Sequence, residues 1–127
     1  MPRVSGLHHI TAIAGSAQEN LDFYTGVLGD PGMRDGSWYG WSVGDAWFSI
    51  GEHSEVKGQA AEPQRVILNF ETPDVQAEFE RIRDAGATVV KEPYELQGMW
   101  IATLADPDGN YFQLMSPWPQ EDQQAEA

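Results

Sequence analysis

Apolar positions along the chain switch between a period of two and a period near 3.6, which marks strands alternating with helices. Leu7 to Ala14 is apolar and rich in β-branched residues, predicting a strand that Gly15 breaks. Ser16 stands three residues before Glu19, the spacing of a capping box. Leu21, Tyr24, Val27 and Leu28 then recur at helical spacing, and Gly29 suits a left-handed helix stop. Asp30-Pro31-Gly32 is a turn signal, and the strand after it is weak. Trp38 to Val43 and Ala46 to Ile50 are short aromatic and β-branched runs around Gly44-Asp45, which predicts a hairpin. Gly51 to Pro63 is polar, lacks periodicity and reads as a connection.

The pattern then restarts. Arg65 to Phe70 predicts a strand, and Thr72-Pro73-Asp74 opens a helix with Pro73 near its first turn. Val75, Phe79 and Ile82 form the apolar stripe of that helix, and Gly86 ends it. Thr88 to Val90, Met99 to Leu104 and Tyr111 to Met115 predict three more strands. Asp106-Pro107-Asp108-Gly109 forms a tight turn before the last one. An offset of 58 residues maps Ser16 onto Asp74, Leu21 onto Phe79, Tyr24 onto Ile82 and His9 onto Ile67. Such a long repeat predicts two β-α-β-β-β modules, each with too small a core to stand alone, that pack together or swap between chains. The expected fold is α+β, a single domain over 1–127. Module one covers about 6–52, a linker about 53–64, module two about 65–117, and a polar tail 118–127.

Composition narrows the class. At 127 residues, with 41% hydrophobic and 11% aromatic residues, the chain can bury one ordinary core. No run approaches the ~18–20 apolar residues of a membrane span. The first six residues lack the apolar stretch of a secretory signal, which favours a cytoplasmic protein. Cysteine is absent, so disulfides and thiolate metal sites are excluded. Twenty acidic against seven basic residues give a net charge of −13, a field that repels nucleic acid and anionic membranes. A solvated acidic surface accounts for this charge without any site.

Leu7-His8-His9-Ile10-Thr11 and Asn20-Leu21-Asp22-Phe23-Tyr24-Thr25-Gly26-Val27-Leu28-Gly29 resemble the vicinal oxygen chelate superfamily. That group holds glyoxalase I, bleomycin-resistance proteins and extradiol ring-cleaving dioxygenases. Asp106-Pro107-Asp108-Gly109-Asn110-Tyr111-Phe112-Gln113-Leu114 is similar to its last hairpin. The opening stretch looks most like the dioxygenases, the second half more like the small glyoxalase and bleomycin-resistance proteins. The resemblance covers about residues 6–117 and implies curled mixed sheets around a cup, with helices on the convex side. It also implies a homodimer. It does not fix the reaction, because one fold hosts several chemistries.

In metal-dependent members the resemblance implies four ligand positions, on the first, fourth, fifth and eighth strands. Carried over by motif, they fall on His9, Ser49, Ile67 and Gln113. An imidazole is a good ligand for zinc, iron or nickel, but serine and glutamine are weak donors and isoleucine is none. A one-residue register shift flips every side chain of a strand and would present His8. It recruits no ligand beside Ile67 (Val66, Leu68) or Gln113 (Phe112, Leu114). The expectation is therefore no cofactor, with a divalent metal held through His9 as the alternative.

Other candidates carry two readings each. His9 is either a hydrogen-bonded core histidine or, as the motif favours, a residue facing the cup. Glu71 is either a residue that solvates the turn before a helix or a lone general base in the cup, a role that burial would favour. His53 either joins His9 and an acidic residue in an improvised site or, as its polar linker setting favours, is an exposed histidine. Trp38, Trp47, Trp100 and Tyr111 fall on the hairpin strands, where rings on one face would stack a planar or cationic ligand. The other reading of these rings is core or dimer interface, favoured for Phe48 and Phe112 by their opposite parity. Ser49, Asn69 and Gln113 would be neutral polar companions of His9. The expected function is thus small-molecule binding, an aromatic or cationic ligand being preferred. The alternative is a divergent metal-dependent lyase, isomerase or ring-cleaving dioxygenase.

Overall fold

The computed structural model describes residues 7–117. The N-terminal six residues read for a signal, and the polar tail at 118–127, lie outside the described residues. The chain divides into two compact units, Met1–Gly58 and Gln59–Ala127. No helix among the described residues is long and apolar enough to cross a membrane.

The first unit holds β1 (Ile10–Ala14), α1 (Ala17–Leu28), β2 (Met33–Asp35), β3 (Trp38–Val43) and β4 (Ala46–Glu52). Its sheet runs β1-β4-β3-β2, with β1 parallel to β4 and the other pairs antiparallel. The Ser16 side chain caps α1 by accepting from the Glu19 N–H at 3.4 Å. At the other end Gly29 takes φ 91° and donates its N–H to Thr25. The Trp41 indole N–H donates to the Gly29 carbonyl at 2.8 Å, which ties the helix end to β3. Leu21 and Tyr24 turn inward, and the Tyr24 ring packs against Trp41 and Phe48. Two residues, Gly44 and Asp45, join β3 to β4, with Gly44 at φ 58° as a tight hairpin requires.

The second unit holds β5 (Leu68–Glu71), α2 (Val75–Asp84), β6 (Thr88–Leu96), β7 (Met99–Ala105) and β8 (Tyr111–Met115). Its order, β5-β8-β7-β6 with β5 parallel to β8, repeats the first unit's pattern. Asp74 caps α2 by accepting from the Ala77 N–H at 3.0 Å. Val75, Phe79 and Ile82 are its buried residues. Ala102, Leu104 and Phe112 are fully buried beneath it, and Phe112 meets Phe70 edge to face. The Asp106 carboxylate organises the turn before β8, accepting from the N–H groups of Asp108 and Asn110.

These are the two β-α-β-β-β modules and mixed sheets expected from the sequence. Four local expectations need correction. The first strand starts at Ile10, so Leu7, His8 and His9 precede it. Pro63–Arg65 is a 3₁₀ turn started by proline, and β5 begins only at Leu68. Pro73 precedes the Asp74 cap instead of lying in the first turn. The strand placed at Thr88 to Val90 runs on to Leu96, with irregular pairing between Val89 and Tyr94. As the edge of its sheet, β6 accepts Lys91, Glu92, Pro93 and Glu95, residues that protect an edge from further pairing.

The 58-residue offset holds through the first strand, the cap and the helix. It then widens: Gly40 and Thr103 are equivalent at 63, Ser49 and Gln113 at 64. The longer second strand of the second unit absorbs most of the difference, nine residues in β6 against three in β2.

Two substitutions separate core from cap. Phe112→Ala is expected to cost ~3–5 kcal/mol and Asp74→Ala ~1 kcal/mol, measured by urea unfolding.

Candidate functional site

Strand alternation gives each sheet one face toward its own helix and one away from it. In the first unit Trp41, Phe48 and Ile50 take the helix side. Their neighbours Trp38, Gly40, Trp47, Ser49 and Gly51 therefore share the other face, together with Thr11 on β1. Thr11 pairs directly with Ser49, and their hydroxyl oxygens lie 2.8 Å apart in a hydrogen bond. Trp47 rests over Gly40, and Trp38 rests over Gly51, each ring filling the space that a Cβ there would occupy. Trp38 keeps 41% of its surface exposed, so its outer side is available to a ligand.

His9 lies one residue before β1 and is exposed, its Nδ1 2.7 Å from that of His8. It does not form part of a buried polar cluster. His53 is exposed, as expected for the connection, and its Nδ1 accepts from the Glu55 N–H.

In the second unit Asn69, Gln113 and Thr103 form one row across β5, β8 and β7. Gln113 donates its amide N–H to the Thr103 hydroxyl at 3.2 Å. Two residues along, Thr88, Ala105 and Tyr111 form the next row on the same face. Tyr111 there borders an open groove of about 590 Å³ beside the Asp106 turn. Gln59 closes one side of that turn, donating from its amide to the Pro107 carbonyl at 2.8 Å.

Two sequence candidates fall away from these rows. Trp100 alternates with Ile101 and Thr103 onto the face of Ala102 and Leu104, so it does not join Gln113. It is 44% exposed near the start of β7, and its backbone N–H donates to the Ser116 hydroxyl. Glu71 has the parity of Asn69, but it ends β5 and is exposed. The burial on which a general-base reading depends is missing there.

The four positions that would carry a divalent metal offer few donors. His9 is exposed, the Ser49 hydroxyl is engaged by Thr11, Ile67 has no donor, and the Gln113 amide is engaged by Thr103. This donor set does not fit a transition-metal ion. Among the described residues no three His, Cys, Asp or Glu side chains group where they could hold one. On α2 two guanidinium pKa values are held above the ordinary value. Arg81 is raised mainly by its hydrogen bond with Glu78, and Arg83 by that with Asp84. What the Ser49 and Gln113 rows offer is neutral hydrogen bonding, beside the aromatic surface of Trp38, Trp47 and Tyr111.

Sequence reasoning missed Thr11, Thr103, Gly40 and Gly51 as members of these faces. Thr11 was signalled by its place two residues after His9. The glycines carried no signal, because their role depends on rings from the neighbouring strand.

A family model described as a glyoxalase-like domain matches residues 9–115. The crystal structure of a glyoxalase/bleomycin resistance protein from Albidiferax ferrireducens T118 superimposes with a TM-score of 0.73 at 21% identity. That match covers 87% of this chain and 98% of the other. The fosfomycin resistance protein FosX of Listeria monocytogenes matches with a TM-score of 0.74 at 20% identity, over 93% of this chain and 98% of that one. Identities this low establish a shared fold. A 27-residue stretch is also 67% identical to MhqO of Bacillus subtilis (strain 168), a protein named as a ring-cleaving dioxygenase. The stretch is 21% of this chain and spans only 9% of that protein.

The part-buried hydroxyl pair gives a direct check on the first unit's face. Ser49→Ala strands the Thr11 hydroxyl and is expected to cost ~1–2 kcal/mol in urea unfolding. Adding Thr11→Val to it costs less than the sum of the two single changes, since they share one hydrogen bond.

Proposed function

Because the chain belongs to the glyoxalase-like family of the vicinal oxygen chelate superfamily, we propose that it binds a small molecule without the superfamily's divalent metal. One observation carries the reading: Trp38 and Trp47 share a sheet face with the Thr11–Ser49 hydroxyl pair. Indole faces supply stacking area, and neutral hydroxyls supply orientation without proton transfer. The net charge of −13 draws cations toward the protein at long range, so the favoured ligand is aromatic and neutral or cationic. The proposal includes a cytoplasmic homodimer, the assembly that the resemblance implies.

A second reading rests on a different observation, the short stretch shared with a protein named as a ring-cleaving dioxygenase. In that reading the chain is a divergent metal-dependent enzyme, and His9 is a metal ligand.

Metal analysis of protein purified without chelator separates the two. Iron, zinc, nickel and manganese are each expected well below one per chain. A stoichiometric metal that disappears in His9→Ala overturns the metal-free reading. Thermal-shift screening of planar cations, planar anions and aliphatic cations tests binding itself. Planar cations are expected to raise the melting temperature, and a screen in which no compound stabilises the protein overturns the binding reading.

A further inference from the structure

Gly40 and Gly51 sit in β3 and β4, the two central strands of the first unit's sheet, and both are buried. A strand interior normally rejects glycine, which has no side chain to pack and more freedom to lose on folding. Neither position needs glycine for its backbone, since neither has a positive φ. The reason is space. A Cβ on Gly40 would collide with Cζ2 and Cε2 of Trp47, and one on Gly51 with Cζ3, Cε3 and Cη2 of Trp38. Each strand thus lends its glycine to the other strand's tryptophan. Trp38 of β3 covers Gly51 of β4, and Trp47 of β4 covers Gly40 of β3.

The exchange is reciprocal and confined to one face. Trp38 pairs with Gly51 directly, whereas Trp47 pairs with Ser42 and leans along the sheet to Gly40. Both indoles therefore lie close to the backbone, Trp47 over the Gly40 end of the Ser49 row and Trp38 over the neighbouring Gly51, instead of standing away from the sheet. On the neighbouring strand Asp35 stands directly across from Trp38, which puts a carboxylate at the rim of the same face. Two seated indoles beside a carboxylate match a flat ring system that bears positive charge.

We infer that Gly40 and Gly51 are positioning residues that seat Trp47 and Trp38 as a stacking floor, and that this floor, with Asp35, selects a planar aromatic cation. The inference rests on the binding reading above and gives that reading its ligand class.

Isothermal titration calorimetry on the full chain tests it with three probes: proflavine, a planar cation; 2-anthracenecarboxylate, a planar anion; and tetraethylammonium, an aliphatic cation. The wild type is expected to bind proflavine at least about tenfold more tightly than either of the others, the scale of one lost stacking or cation–π contact. Gly40→Ala and Gly51→Ala each weaken proflavine about tenfold while far-UV circular dichroism stays unchanged. In a Trp47→Leu background Gly40→Ala has no further effect on binding, because its action runs through that ring. A merely structural role would leave the penalty in place. Asp35→Asn narrows the preference for proflavine over the anthracene acid.

Glycine variants that bind proflavine as the wild type does overturn the inference and leave the binding reading standing. Equal affinity for all three probes overturns the ligand class alone. A wild type that binds none of them removes the binding reading and the inference with it. If a glycine variant does not fold, Trp38→Leu and Trp47→Leu keep both glycines and decide the matter. Retained proflavine affinity in both overturns the floor.

Discussion

In each unit the first strand pairs in parallel with the last, β1 with β4 and β5 with β8. Parallel neighbours cannot be joined by a tight turn, so the chain must leave the sheet, cross one face as a helix, and return. The helix fixes which face becomes core. Once Tyr24 packs on Trp41 and Phe48, and α2 covers Phe112 and Leu104, alternation assigns every other strand residue to one side or the other. A one-residue slip in either parallel pair would exchange Phe48 with Ser49, or Phe112 with Gln113. The register of that one pairing therefore sets both the stability of a unit and the chemistry of its second face.

The pairing also explains why the two units present similar polar rows. Thr11, Ser49 and Gly40 are aligned across three strands of the first, and Asn69, Gln113 and Thr103 across the equivalent strands of the second. In each row two side chains satisfy one another: hydroxyl with hydroxyl, or amide with hydroxyl. A hydrogen bond of this type contributes only about 0.5–1.5 kcal/mol, but leaving one partner unmet in a buried setting costs more. A metal ion arriving there would have to break these bonds and coordinate weak neutral donors, with no anionic ligand in the rows to offset the loss.

Much of this was legible from the chain because local and tertiary preferences agree. Ser16 and Asp74 both cap helices, Gly44-Asp45 closes the two-residue hairpin, and the parity of Phe48 and Phe112 takes them into the core. Legibility failed where tertiary context overrides local preference. The second half of β6 is charged and contains Pro93, so it reads as loop, and only its place at a sheet edge makes it strand. Trp100 could not be phased, because its register depends on the partner strand β8. His9 and Glu71 carried the motif and the parity of a cup, but both lie at strand ends, where the chain meets solvent.

Gly40 and Gly51 are the case in which local reasoning is most informative by its failure. Each costs the sheet roughly 0.5–1 kcal/mol relative to alanine. Neither turns the chain, caps an element or relieves a positive φ. Core packing does not need them either, since Trp38 and Trp47 lie on the face away from α1 and Trp38 keeps 41% of its surface exposed. A fold selected for stability alone would fill those positions with β-branched residues and leave the rings free to stand away from the sheet. Positions that break a local rule without a structural return are where functional demands are to be sought. Here the broken rule and the aromatic surface meet on one face, with Ser49 between them.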